Sequence, residues 1–123
     1  MYQVRIDHEK NRLYLTIGSI KDEAEMQEIN ATILSECKKL KKGFTCLTDL
    51  RKYDPNHGFY DIYIREVQEA LIKSGISKVV RVRRPLGTIA QYQFDNISYE
   101  LGYHAPHVTT IEEGEKILDE ESM

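Results

Sequence analysis

FTCLTDLRKYDPNHGFY, residues 44–60, decides the fold. Its first seven residues form a short, largely apolar run, the pattern of a strand buried on both faces. A polar loop with Pro55 and Gly58 follows, and then Tyr60, Ile64, Val67 and Leu71, spaced to line one face of a helix. A buried strand that runs through a short loop into an amphipathic helix is the unit of an open α/β sheet. Ligands and partners dock where the loop leaves the strand. That junction holds Asp49, Arg51, Lys52, Tyr53, Asp54 and His57, and residues 51–60 include no serine or threonine.

Upstream, Tyr2-Gln3-Val4-Arg5-Ile6 and Leu13-Tyr14-Leu15-Thr16-Ile17 alternate around the polar turn 7–12 (DHEKNR) and predict a hairpin with one buried face. Asp22 and Glu25 form a capping-box pattern that opens a helix. Met26, Ile29, Ile33, Cys37 and Leu40 give that helix a single apolar stripe, and Gly43 supplies its stop. Acids lead and lysines trail along it, as the helix dipole favours.

Downstream, the second helix ends at Gly75, and Val79-Val80-Arg81-Val82 reads as a strand closed off by Arg83-Arg84-Pro85. Leu86, Ala90, Phe94, Ile97 and Leu101 fall on one face of a third helix that stops at Gly102. Residues 103–109 read as a last strand, which Pro106 confines to an edge. Thr110 and Glu113 cap a final helix carrying Ile111, Ile117 and Leu118, and residues 120–123 fray. The order is β-β-α-β-α-β-α-β-α, a mixed sheet of five strands with four helices. Its helical crossovers require parallel pairing.

The 123 residues fit one domain, 1–123, and size scaling predicts about 7,000 Å² of folded surface against about 21,000 Å² unfolded. Seventeen basic and 20 acidic residues leave a net charge of −3, which argues against nucleic acid as the main partner. Cys37 and Cys46, the two cysteines, fall at core positions without metal-ligand or redox spacing and read as buried thiols. No apolar run approaches a membrane span, and the charged N-terminus does not read as a signal peptide, so the expectation is a cytoplasmic protein.

This order and several local stretches resemble the STAS family of sulfate-transporter and anti-sigma-factor-antagonist domains, most of all its small stand-alone bacterial SpoIIAA-like branch. The matching residues are Lys10-Asn11-Arg12-Leu13-Tyr14-Leu15, the run from Gly43 to Arg51, and Val79-Val80-Arg81-Val82. Gln93-Phe94 with Gly102-Tyr103, and Ile111-Glu112-Glu113-Gly114, complete the set. The resemblance spans essentially the whole domain and implies a STAS-like fold. In anti-sigma antagonists a serine at the start of the helix after the third strand is phosphorylated, which breaks binding to a kinase partner. Here that stretch offers only tyrosine hydroxyls, and Thr48 falls inside the strand, so the resemblance carries the fold and not the phosphoswitch.

Four basic residues form the sharpest candidate. Arg51 and Lys52 leave one strand at its C-terminal end, and Arg83 and Arg84 leave another. Parallel strands would gather them beside two helix N-termini as a site for phosphate or carboxylate. The plainer reading leaves Arg81, Arg83 and Arg84 solvated or paired with acids such as Asp49 and Asp54. His57 beside Asp54 and Asp61 has a carboxylate orienter but no serine or cysteine nucleophile in its loop. His104 and His107, three apart on a strand, would face opposite ways unless Pro106 between them alters the alternation, and with His8 distant no metal set assembles. Tyr60 and Tyr63 flank the second helix, and Tyr92 and Tyr99 lie one heptad apart on the third, as core rim or partner surface. No Walker, dinucleotide or zinc-protease signature is present.

The sequence therefore supports a non-catalytic module without cofactor or metal. It would bind a protein partner or a second copy through loop 51–59 and the outer face of helix 60–74. The alternative is a carrier or sensor with an anion on Arg51, Arg83 and Arg84, or a lipid-like molecule under the second helix. Asp49, Arg51, Lys52, Tyr53, His57, Tyr60, Arg83 and Arg84 are the candidate contacts, and an enzyme working through Asp49 and His57 ranks last.

Overall fold

The computed structural model describes residues 1–56, 58, 60–85, 89–102 and 104–121, with the backbone alone for 89–91 and 121. Along the chain run β1 (Tyr2–Asp7), β2 (Arg12–Ile17), α1 (Glu23–Cys37), β3 (Thr45–Asp49) and α2 (Asp61–Lys73). Then come β4 (Lys78–Val82), α3 (Ile89–Glu100), β5 (His107–Val108) and α4 (Ile111–Glu121). The expected mixed five-stranded sheet and four helices are present. His57, Phe59, Leu86 and Tyr103, and the side chain of Ala90, lie outside the described residues.

The strands lie side by side in chain order, β1 to β5. β1 pairs antiparallel with β2, and β2–β3, β3–β4 and β4–β5 are parallel. Each parallel step is made by a helix, and stepping one strand at a time with one hand puts α1, α2 and α3 on the same face. The larger core forms there, from Leu13, Leu15, Ile17, Cys46 and Val79 of the sheet against Met26, Ile29 and Ile33, Ile64 and Val67, and Phe94 and Ile97. Ile29, Ile64 and Leu13 are fully buried, and each such side chain contributes about 1.5–3 kcal/mol of burial free energy. The folded chain exposes 7107 Å², as its size predicts.

Among the described residues α4 alone covers the other face, with Leu118 packed on Tyr14, Leu47, Val80 and Val82. It lies so close that a Cβ on Gly114 would stand 2.4 Å from Leu47 Cδ1. An ion network fixes it to β2. Arg12, only 1% exposed, donates to Thr45 Oγ1 (2.9 Å), Glu115 Oε1 (2.7 Å) and Asp119 Oδ1 (3.0 Å), and the Tyr14 hydroxyl donates to Glu115 Oε1 (2.7 Å). Two sequence expectations change as a result. Arg12 belongs to a strand and not to the polar turn, and β2 is covered on both faces where one was expected.

The helix signals hold locally. Asp22 Oδ1 accepts from the Glu25 amide (2.9 Å), and Glu25 Oε1 takes the Lys21 amide (2.7 Å). Thr110 Oγ1 accepts from the Glu113 amide (3.1 Å). Gly75, at φ +95°, follows the Ser74 cap and turns the chain out of α2. α1 instead ends at Cys37 with Lys38 as its cap, so Leu40 lies beyond the helix, and Gly43, at φ +90°, turns the following loop toward β3 and does not stop α1. β5 is much shorter than the expected 103–109, holding only His107 and Val108 on the outer edge of β4. Pro106 has no amide proton to extend the ladder.

Candidate functional site

The parallel register of β3 and β4, Asp49 opposite Val82, sends Arg51 and Arg84 out at one end of the sheet. They meet there, with Arg84 Nε donating to the Arg51 carbonyl (2.8 Å). The four cations do not form a free anion cradle, however. Arg51 is committed to Asp49, with Nε and Nη2 on its two carboxylate oxygens at 3.0 and 2.8 Å and its amide on Oδ1 at 3.1 Å. Burial alone would push the Asp49 carboxyl up, but these bonds from Arg51 outweigh it and hold it below the ordinary range. Lys52 is exposed. Arg83 turns inward instead, at 8% exposure.

The tyrosines of the junction are core residues. Tyr53 is 2% exposed, stands edge-on to Phe94 with ring centroids 5.1 Å apart, and donates to Gln93 Oε1 (3.0 Å). Gln93 Nε2 in turn donates to Asp61 in the first turn of α2. Burial raises the Tyr53 phenol well above its ordinary range. Tyr60, 5% exposed, packs beside it in the same core. These two side chains close the base of the loop and leave little of themselves for a partner. Thr48, 5% exposed, lies inside β3 with its hydroxyl 3.4 Å from Cys46 Sγ.

Beneath α2 the space among Leu15, Ile33, Cys46, Val67, Leu71 and Phe94 is about 30 Å³. That is room for a water or two and not for an acyl chain.

A larger space lies elsewhere. Because β5 is so short, the outer side of β4 is incompletely covered, and a cavity of about 540 Å³ opens between α3 and the segment leading into β5. Its wall is made by Arg81, Asp95, Ser98, Tyr99, Gly102, His104, Ala105 and His107. A smaller space of about 240 Å³, lined by Ile72, Ile76, Ser77, Lys78 and Val79, shares His104 with it.

Arg81 organises the floor. It is 3% exposed, directs Nη1 to Asp95 Oδ1 (2.9 Å) and Nη2 to Ser98 Oγ (2.7 Å), and lies over the Phe94 ring. Ser98 Oγ is also 2.7 Å from Gln68 Oε1 and 3.0 Å from the Phe94 carbonyl. Arg81 thus pairs with an acid on α3, not with Asp49 or Asp54.

Arg83 adjoins the same wall. Its guanidinium carbon is 4.6 Å from the Tyr92 ring centroid, and Nη2 meets His107 Nε2. Its Nε and Nη1 are buried without a hydrogen-bond partner. His104 and His107 line one cavity, against the expectation of opposite faces. Residue 104 precedes the strand, so the strand's alternation does not reach it.

Among the described residues no group of three or more His, Cys, Asp or Glu could hold a metal ion. Asp95 and Ser98 carried no motif in the sequence, and Tyr99 was legible only as one of a heptad-spaced tyrosine pair. The one available signal for the first two was a charged residue, Arg81, in the middle of an apolar strand, which demands a buried partner. Among the described residues no helix is long and apolar enough to cross a membrane. Comparison with models of known protein families found no match to this chain, and comparison with curated proteins found none either.

Proposed function

We propose that this chain is a non-catalytic, cytoplasmic STAS-like module, SpoIIAA-like but without the phosphorylatable serine, that works by holding a small molecule between α3 and β5. The observation that carries this reading is the cavity of about 540 Å³ on whose wall Arg81, Asp95, Ser98, His104 and His107 converge. That volume lies within the range of sites for small ligands, which combine an apolar wall with a few placed polar groups. Binding is favoured over catalysis because Ser98, the one serine or threonine among the described residues of the wall, already accepts from Arg81 and faces two further oxygens. Two buried free thiols agree with a reducing compartment.

Native mass spectrometry of protein purified gently from its own cell lysate tests the reading. An added mass of a few hundred daltons that disappears in Ala105→Phe, which fills the cavity, is the expected result. An adduct that survives the filling, or its absence from the wild type, overturns it.

A second reading, docking of a protein partner or a second copy on the outer face of α2, is favoured by Ile62, which is 76% exposed, and by the partly exposed Ile72. Large apolar side chains left in water on one helix are what a partner surface presents. A concentration-dependent mass in light scattering that Ile62→Glu abolishes would support it, and a monomer at every concentration would remove self-association.

A further inference from the structure

We infer that the cavity between α3 and β5 is selective for a small molecule carrying an oxyanion, carboxylate or phosphate, on an apolar body, with Arg83 and His107 as the group that reads the anion. The inference rests on the ligand-holding reading of that cavity and adds the class of ligand.

Charge points to the anion. Two guanidinium groups are buried beside the cavity, Arg81 at 3% and Arg83 at 8% exposure. Asp95 answers Arg81 at 2.9 Å. No described carboxylate answers Arg83, whose contacts are the Tyr92 ring and the His107 imidazole, and whose Nε and Nη1 are buried without a partner. Burying an unpaired charge is costly, and a cation–π contact offsets only part of that cost. Behind the wall, the described residues therefore carry one positive charge in excess, with two buried N–H donors of Arg83 unanswered.

His107 brings that charge to the cavity surface. A guanidinium has only donors, so in its contact with Arg83 Nη2 the imidazole Nε2 must accept, which puts the ring proton on Nδ1. His107 lines the cavity, so its N–H donor stands in front of a buried cation. An oxyanion meeting that donor also meets the field of Arg83, which is itself largely shielded from water, so the attraction exceeds that of a fully solvated cation. Tyr99, Gly102 and Ala105 line the same space and offer the rest of the molecule an apolar bed.

The test is a titration followed by two-dimensional NMR of the histidine and Tyr99 signals. Benzoate and phenyl phosphate serve as anionic probes, and benzyl alcohol and benzylamine as neutral and cationic ones. The expected result is that at least one anion binds about tenfold or more tightly than benzyl alcohol, the scale of a charge-assisted hydrogen bond, while benzylamine binds no better than the alcohol. Which anion wins distinguishes carboxylate from phosphate. Arg83→Met should erase the preference, leaving anion and alcohol equal. If that variant does not fold, His107→Ala, on an exposed side chain, should weaken the anion about fivefold or more.

Equal binding of benzoate, phenyl phosphate and benzyl alcohol would overturn the inference and leave the cavity reading standing. An anion preference that Arg83→Met or His107→Ala leaves intact would also overturn it. Binding of no probe at millimolar concentration would overturn the inference and, together with the absence of any lysate adduct, the reading beneath it.

Discussion

Arg81 and Arg83 stand two residues apart at the end of β4 and both reach α3, yet only Arg81 finds a carboxylate there. Arg81 Nη1 lies 2.9 Å from Asp95 Oδ1, whereas Arg83 lies over the Tyr92 ring, 4.6 Å from its centroid, with two buried nitrogens unpartnered. Removing a partner from a buried pair strands the other charge, while removing an unanswered charge relieves a cost. Arg81→Met should therefore lose about 2 kcal/mol or more, leaving Asp95 and Ser98 without their donor. Arg83→Met should be neutral or stabilising. Urea denaturation of the two variants checks this, and a larger loss for Arg83→Met would reverse the assignment of which arginine is satisfied.

The attachment of α4 should weaken in acid. Burial alone would raise the Glu115 carboxyl, but bonds from Tyr14 and Arg12 outweigh it and hold Glu115 below its ordinary value near 4.5. Asp119 is likewise held low, chiefly by Arg12. A carboxyl depressed in the folded state stabilises the fold at pH values above its unfolded pKa, and that contribution fades as pH falls through the folded one. Thermal unfolding at pH 7 and at a series of values below about 4.5 should show a falling Tm, with a smaller fall in Glu115→Gln. An identical pH profile in the variant would mean that Glu115 contributes nothing to the acid dependence.

What the sequence disclosed and what it hid follow from range. Helix periods, caps and glycine stops act within four residues, and Asp22, Thr110 and Gly75 behave as their spacing predicts, whereas α1 ends at Cys37, six residues short of Gly43. The parallel crossovers follow from chain order alone. The cavity depends on the register of α3 against β4, which puts Asp95 and Ser98 14 and 17 residues after Arg81 yet in contact with it. No local pattern encodes that. The cationic junction looked free because Asp49 and Arg51 are only two residues apart, a spacing that on a strand suggests a shared face but not a bidentate pair. His104 and His107 were separated by a strand rule that fails when the strand is two residues long.

Cys46 should stay unreactive in the native protein. Burial pushes its thiol up to about 11, so the nucleophilic thiolate is scarce at neutral pH as well as inaccessible. Cys37 is 3% exposed, with its Sγ 3.4 Å from the Leu34 carbonyl. A thiol reagent at pH 8 should label neither residue quickly in the native protein and both in denaturant. Fast labelling of the native protein would show that α1 or α2 opens readily from the sheet.

Gly114 sits where α4 crosses β3 and β4, and the reason for a glycine there is proximity, not backbone conformation. In a helix interior glycine costs about 1 kcal/mol against alanine, so in open space any larger residue would gain stability. Here a Cβ would stand 2.4 Å from Leu47 Cδ1, with Val80 Cγ1 at 3.5 Å and Val108 Cγ2 at 3.6 Å. Leu47 is 2% exposed and Val80 is fully buried, so neither has room to retreat. Valine adds two further methyl groups to that contact, and overpacking of this kind costs about 1–3 kcal/mol. Gly114→Val should therefore destabilise the fold by about 2 kcal/mol, the strain exceeding any gain in helix propensity. Chemical denaturation measures the loss. Unchanged or greater stability would mean that α4 rides further from the sheet than these distances allow, and with it that Arg12 reaches Glu115 through a longer and weaker contact.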